Sequence, residues 1–297
     1  MQIISVAWKP QEDGTFVSGL RVWGDGDEPE FIPIIPQSHI SWIFHGPRRC
    51  VGRTDSDLKS VRCPEDSLVF QRGKVKCGPC SAEDFVDPCI RCDGRDCQAT
   101  VDRRTQCESA IYVVYLVVFN DETLKIGVSS EKRVRTRWVE QGADYGGILR
   151  HLQGGLDARL IEDRLGKNPR VSKQVRGERK IRALLKKIDL ESAQQIVEDF
   201  LLDVNMAELG MTLELEDLSK YYSLVHVDKK PTLWKTRAEK VDNRHLVGEV
   251  VGMKGSLLGT RIGSEYTIAD LKQVIGYSLD YDEDITVITQ TGLLDFC

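Results

Sequence analysis

No apolar run in this sequence of 297 residues approaches the ~20 needed for a membrane-spanning helix, which argues against a helical membrane protein. The opening residues, MQIISVAWKP, lack a basic region followed by a long apolar segment. No secretory signal is therefore visible, and a cytoplasmic location is expected. There is no clear internal repeat and no low-complexity tract, so neither a solenoid nor a compositionally biased chain is indicated. Positive charge is not in excess either: the formal net charge is −5, which by itself argues against a nucleic-acid partner. Cysteine is almost absent outside one window, since eight of the nine lie between Cys50 and Cys107.

At 41% hydrophobic and 29% charged, the chain reads as soluble and globular, with enough residues for two or three domains. The overall charge conceals an asymmetry. From Lys125 to Lys187 there are 17 Lys and Arg against 7 Asp and Glu; from Ile188 to Lys220 there are 9 acidic residues and 1 basic. The basic stretch is an electrostatic footprint for phosphate. Two solvated helical faces that complement each other would look the same.

Residues 1–49 hold strand-length runs rich in β-branched and aromatic residues, QIISVAW, TFVSGLRVW and EFIPII, separated by turn formers. The tail, 223–297, repeats that character in SLVHV, LVGEVVGMKG, LLGTRI and DITVITQ. Strands at both ends suggest one β-rich, barrel-like domain formed by the two terminal segments. Residues 50–108 lack hydrophobic periodicity and read as a small metal-stapled module. In 109–177, two short strands precede SEKRVRTRWVEQ, a helix with Ser130 as N-cap, and LDARLIEDRL, a second helix with an apolar stripe. Residues 178–222 read as a helical extension. The fold class is therefore α+β.

Cys77-Gly-Pro-Cys80 and Cys89-Ile-Arg-Cys92 are two C-x-x-C pairs, and each can grip a tetrahedral metal through two thiolates. Together they would complete one site with all ligands local. Cys50, Cys63, Cys97 and Cys107 would suffice for a second ion. An all-cysteine cage reads as structural zinc, because catalytic zinc keeps an open position. A redox pair is the alternative, weakened by the absence of a βαβ pattern.

The stretch AIYVVYLVVFNDETLKIGVSS, residues 110–130, could be only a buried hairpin. A hairpin alone does not explain the next three segments: a helix carrying Arg133, Arg135 and Arg137, a glycine-rich turn, and a helix with Glu162. Ala110-Ile111-Tyr112, then Lys125-Ile126-Gly127, then Arg137-Trp138 and a helical glutamate together resemble the GIY-YIG nuclease superfamily. The segments CGPC, DPCIRC, GRDC, LKIGVS, RTRWVEQGA, GGLDARLIEDRL and VGMKGSLL further resemble a family known only as a domain of unknown function. That family joins a cysteine module to a GIY-YIG-like domain, and its KVGIT…RWIDQGA segment is nearly reproduced here.

The resemblance implies divalent-metal-dependent phosphodiester cleavage, with Mg²⁺ or Mn²⁺ on Glu162. It matches Tyr112 to the tyrosine that positions or deprotonates water, Arg137 to the catalytic arginine, and Gly127 to the glycine of the second triplet. Lys125 stands where that triplet has a tyrosine. Gln141 falls where a histidine follows the arginine by one turn, which removes a proton-transfer candidate. Arg133, Arg135 and Gln141 are the candidate substrate-binding residues.

Each of these also has a plain reading: Tyr112 or Tyr115 as a core aromatic, Arg137 as a surface residue, Glu162 as the partner of Arg159 or Arg164. Lys254, between Gly252 and Gly255, could approach a phosphate, or mark a turn or bulge. His151 and His245 are isolated and carry no assigned role. The expected function is a metal-dependent nuclease or related enzyme on DNA or RNA. The alternatives are a nucleic-acid-binding module that has lost its chemistry, and a zinc-dependent protein-interaction adaptor.

Overall fold

The computed structural model describes residues 1–281 except 72, 173, 206–212, 228 and 236–239. The β-branched and aromatic runs at the start form β1 (Gln2–Pro10), β2 (Phe16–Trp23) and β3 (Glu30–Pro33). A fourth strand, β4 (His39–His45), goes beyond the runs expected from sequence; its alternation buries Ile40, Trp42 and Phe44. The cysteine-bearing segment holds a short ribbon, β5 (Arg53–Thr54) and β6 (Ser60–Val61), and three helices. These are α1 (Gly78–Ala82), α2 (Asp87–Ile90) and α3 (Val101–Ser109). The buried Asp84 ties ribbon to helices, accepting from Thr54 N (2.7 Å), Val86 N (3.0 Å), Asp87 N (2.8 Å) and Lys76 Nζ (2.5 Å).

The hairpin comes next as β7 (Ile111–Val118) and β8 (Leu124–Ser130). After it come α4 (Val134–Gln141), β9 (Tyr145–Gln153), α5 (Gly155–Leu165), α6 (Gly177–Leu184) and α7 (Leu190–Asp203). Ser130 ends β8 and a short 3₁₀ turn over Glu131–Arg133 precedes α4, so the serine makes no side-chain cap. The remaining strands are β10 (Glu216–Asp217), β11 (Thr232–Leu233), β12 (Arg244–Lys254), β13 (Leu257–Ile262), β14 (Glu265–Asp270) and β15 (Ser278–Tyr281). Ser223–Val227, an expected strand, joins no ladder. Its Leu224 and Val227 instead fill an apolar cluster with Leu184, Leu257 and Ile268. The expected strand DITVITQ lies outside the described residues.

Two sheets result. The larger has nine strands in the order β11-β14-β13-β12-β4-β15-β1-β2-β3, so both terminal segments contribute to it. Its order is linear, with β11 and β3 at the edges, and no barrel closes among the described residues. The smaller runs β10-β9-β7-β8. One face of β7, through Val113, Tyr115 and Val117, joins Trp138 and Val139 of α4 and the large sheet in a single core. The other face, through Val114, Leu116 and Val118, packs on α5 and α7. The expected helical extension is thus two helices in different environments: α7 on the small sheet, and α6 in the cluster of Leu224 and Ile268. They separate because Asp189 starts α7 afresh, accepting from Ser192 N at 2.8 Å. Among the described residues no helix is long and apolar enough to cross a membrane.

The two sheets are locked at one point. Lys254, at the end of β12, donates to Asp144 at 2.5 Å, and the two side chains are only 3% and 5% exposed. Asp144 also accepts from Asn120 N at 2.8 Å. Burial pushes the Asp144 carboxyl upward, and the Lys254 ammonium works against that. The turn after Lys254 presses on the turn after α4. A Cβ on Gly255 would lie 2.7 Å from Gly142 N, and Trp8 Nε1 donates to Gly255 O at 2.8 Å. Lys254 is therefore spent on structure and does not face a phosphate. The bulge reading of this stretch agrees with the register shift between Val250 and Gly252.

Replacing Lys254 by Met leaves a buried unpaired carboxylate and should destabilise the fold by about 3–5 kcal/mol in chemical denaturation. Adding Asp144→Asn, which keeps an acceptor for Asn120 N, should recover much of the loss. A double variant no more stable than the single one would refute this role for the pair.

Candidate functional site

The sulfur atoms of Cys50, Cys63, Cys77 and Cys80 all lie within 4.8 Å of one another. All four are free thiols. A tetrahedral ion with Zn–S bonds of ~2.3 Å needs sulfurs roughly 3.8 Å apart; Cys63 and Cys77 are separated by 3.9 Å. Backbone N–H groups of Gly52 (3.4 Å) and Cys77 (3.2 Å) already point at Cys50 Sγ, as donors to a thiolate should. The four residues could thus hold a metal such as zinc.

Burial pushes the Cys50 and Cys80 thiols up. Burial also opposes ionisation of Cys63, but hydrogen bonds from Ser67 outweigh it and bring that thiol down to about 7. A bound cation would favour all four thiolates. Gly52 is required here: its φ is +88°, and a Cβ would meet Val61 O at 2.0 Å.

This grouping corrects the expectation that Cys77 and Cys80 share an ion with Cys89 and Cys92. Cys50 and Cys63, on either side of the β5–β6 ribbon, complete the set instead, and they are distant in sequence. Cys89, Cys92, Cys97 and Cys107 line a separate small cavity with Tyr112, Gly155 and Arg159. Among the described residues they do not gather as tightly as the first four. The Arg103 guanidinium beside them is held above its usual range: burial works against its charge, and Cys89 and Cys107 favour it.

A second cluster forms at β8. Lys125 Nζ donates to Gln141 Oε1 at 2.7 Å, and Gln141 Nε2 donates to the Tyr115 hydroxyl at 2.7 Å. Tyr115 rests edge-on against Trp138, with ring centroids 6.1 Å apart. Gly127 stands opposite Tyr115 in the β7–β8 register, where a Cβ would come within 2.4 Å of its ring and hydroxyl. The glycine is what lets the phenol lie flat across the strand.

Burial brings the Lys125 ammonium down to about 8, repulsion from Arg137 and Lys272 adds to this, and Glu162 opposes it. Burial likewise raises the Tyr115 phenol, with Arg137 lowering it and Glu162 raising it further. Arg137 and Glu162, on α4 and α5, thus both act on Tyr115 and Lys125.

Tyr112, matched from sequence to the first tyrosine, lies on the other face of β7 against Cys107 and Gly155. The structure brings Tyr115 rather than Tyr112 to Lys125. Counting outward from the turn at Asn120–Thr123 puts Gly127 opposite Tyr115, so that signal is present in the sequence. Glu162 accepts from Arg159 at 2.9 Å. Among the described residues no group of three metal-binding side chains gathers around it. Arg133 pairs with Glu140 at 3.0 Å and Arg135 with Glu216 at 3.0 Å, both at the surface. Arg137 is exposed, with one longer contact to Glu140 at 3.4 Å.

The arrangement places two cations, a phenol, an amide and a carboxylate in one electrostatic neighbourhood, with Tyr115 and Gln141 buried and Arg137 exposed. It can bind an anion and orient it. Residues 38–279 match the protein family described as "Protein of unknown function (DUF2797)". No curated protein and no solved structure matches the chain.

Two outcomes test this geometry. Gly127→Ala should displace Tyr115 and cost about 1–3 kcal/mol of stability by overpacking, read by denaturant titration; an unchanged midpoint would contradict the contact. Elemental analysis should find at least one zinc per chain, lost in Cys63→Ser and kept in Cys92→Ser. The reverse pattern would restore the sequence-local pairing.

Proposed function

We propose that this chain, which belongs to the DUF2797 family, acts on nucleic acid: the cleft of Lys125, Arg137 and Glu162 engages a backbone phosphate. The cysteine module would serve as its zinc staple. The observation that carries this reading is the state of Lys125. Its ammonium is partly buried and bonded only to the neutral Gln141, with no acidic partner within ion-pair distance among the described residues. A cation withdrawn from water without a counter-ion is stabilised by an incoming anion. Phosphate suits the pair, because arginine offers a planar fork and lysine a compact point charge. The likeness of the hairpin and α4 to GIY-YIG nucleases supplies the substrate class, DNA or RNA.

A second reading is metal-dependent phosphodiester cleavage, favoured by Glu162 acting on Tyr115 and Lys125 from a separate helix. Glu162 would then hold Mg²⁺ or Mn²⁺ as a lone carboxylate beside substrate phosphate and water, a ligand set Mg²⁺ accepts. Arg137 would stabilise the charge developing at phosphorus. Tyr115, buried and bonded to Gln141, would hold that amide in place for Lys125 without touching the phosphate. Gln141 has no proton to transfer and would position Lys125. A second zinc on Cys89, Cys92, Cys97 and Cys107 is also a proposal, resting on their shared cavity.

The test uses labelled single- and double-stranded DNA and RNA, titrated with salt and incubated with Mg²⁺ or Mn²⁺. Binding should weaken with salt, log K falling linearly with log salt concentration, and Arg137→Gln should weaken it further. Cleavage abolished by Glu162→Ala supports the enzyme reading, and binding without cleavage supports a module. The complete absence of salt-sensitive binding sinks both and favours the adaptor.

A further inference from the structure

We propose that the cavity beside this cleft is a second phosphate subsite, formed by Arg176, Lys180 and Lys272, that holds the neighbouring phosphate of the same strand. The proposal rests on the nucleic-acid reading of the cleft. The cavity measures about 440 Å³ and lies where the start of α6 meets the end of β14 and the turn beyond it. Lys180 is a charged side chain only 7% exposed, yet among the described residues it makes no hydrogen bond or ion pair. An ammonium in that position is costly unless something else supplies the negative charge.

The one acid lining the cavity, Asp270, is engaged through one oxygen and offsets only part of the charge of three cations. Asp270 Oδ1 accepts from Ser256 Oγ at 2.8 Å and from Lys272 N at 3.2 Å. Arg176 and Lys272 are exposed and have no acidic partner among the described residues. The α6 helix begins at Gly177 without a side-chain cap, so its first N–H groups and its dipole also favour an anion.

The cavity lies within electrostatic reach of the first site. Ser172 N donates to Leu124 O at 2.9 Å, which ties Ser172 to the start of β8, the strand that carries Lys125. Lys180 registers its neighbours: burial first, then Lys272, Lys125 and Arg137, bring its ammonium down to about 7, with Asp270 opposing. A larger cavity of about 930 Å³ shares Gly177, Asp270 and Lys272 with this one and extends it to Arg48, whose Nε is buried without a partner.

Sign matters for the test. In the free protein Lys180 is charged mainly below about pH 7. A bound anion favours the charged form, so binding takes up a proton above that pH and weakens as pH rises, approaching roughly tenfold per unit. Inorganic sulfate is the probe, since it carries the same tetrahedral charge and does not titrate near neutrality. In a lysine-labelled NMR titration of the full chain, saturating sulfate should raise the Lys180 midpoint by about one unit or more. Lys272→Gln, at an exposed position, should weaken sulfate binding several-fold while the fold stays intact by circular dichroism. Sulfate that leaves Lys180 unmoved overturns the subsite.

With a labelled single-stranded oligonucleotide, Lys180→Met and Lys272→Gln should each weaken binding, and together reduce the salt slope by about one. If only Arg137→Gln has an effect, the subsite falls and the nucleic-acid reading stands. If the wild-type chain binds no oligonucleotide, both fall.

Discussion

The buried pair of Lys254 and Asp144 sets the relation between the two sheets, and the functional geometry depends on it. Asp144 lies just after α4 and just before β9, while Lys254 closes β12 just before the turn into β13. Fixing one against the other brings Gly142 and Gly255 into backbone contact and packs the Val134, Trp138 and Val139 face of α4 into the shared core. The position of α4 determines where Arg137 and Gln141 stand relative to β8. The same clamp fixes the hairpin after Gly255, and with it Ser256, Asp270 and Lys272. A pair that contributes no group to either cation cluster thus helps to place both.

The cysteine module obeys a different constraint. Its apolar core is little more than Val69 and three thiols, too small to order a segment of that length. Asp84 gathers four donors and gives the module local shape. A metal on the four cysteine sulfurs would link positions as distant as Cys50 and Cys80 in a way hydrophobic burial here could not. The remaining four cysteines sit against α5 and Tyr112, so this module also borders the helix that carries Glu162.

The features legible in the sequence are those that depend on local pattern. The strand runs at both ends, the hairpin, the helix with Arg137 and the helix with Glu162 all come from periodicity and turn residues. The partners of Cys77 and Cys80 are not legible, because spacing says which cysteines can share an ion and not which ones a ribbon delivers. The triplet motif points to Tyr112, although strand parity puts it and Tyr115 on opposite faces and only Tyr115 opposes Gly127. The strand β4 is short and gains its place from β12 and β15, both more than 180 residues away. Lys180 is hidden for a sharper reason. On α6 the apolar positions Ile181 and Leu184 mark the inward face, and a lysine beside them reads as solvated. Its burial comes from β13, β14 and the segment before α6, none of which a helical pattern reveals.

The charge asymmetry along the chain acquires a more exact meaning from the structure. Much of the basic stretch is neutralised within the fold: Arg133 by Glu140, Arg135 by Glu216, Arg159 by Glu162, and Arg170 by Asp203 across to the acidic helix α7. To that extent the complementary-faces reading holds. Among the described cations with no acidic partner within ion-pair distance, Lys125, Arg176 and Lys180 from this stretch and Lys272 from beyond it influence one another, with Arg137 only loosely held. Surface pairs contribute little stability each, so pairing the outer arginines costs the protein nothing in function. Leaving Lys180 unpaired in a buried site does carry a cost, since its depressed ionisation measures how far the fold disfavours that charge. Nearby acids were available in this sequence, with Asp270 already in the cavity and turned to Ser256. Asp270 alone cannot balance three cations, one of them buried, and that imbalance is the physical basis on which the proposed anion site rests.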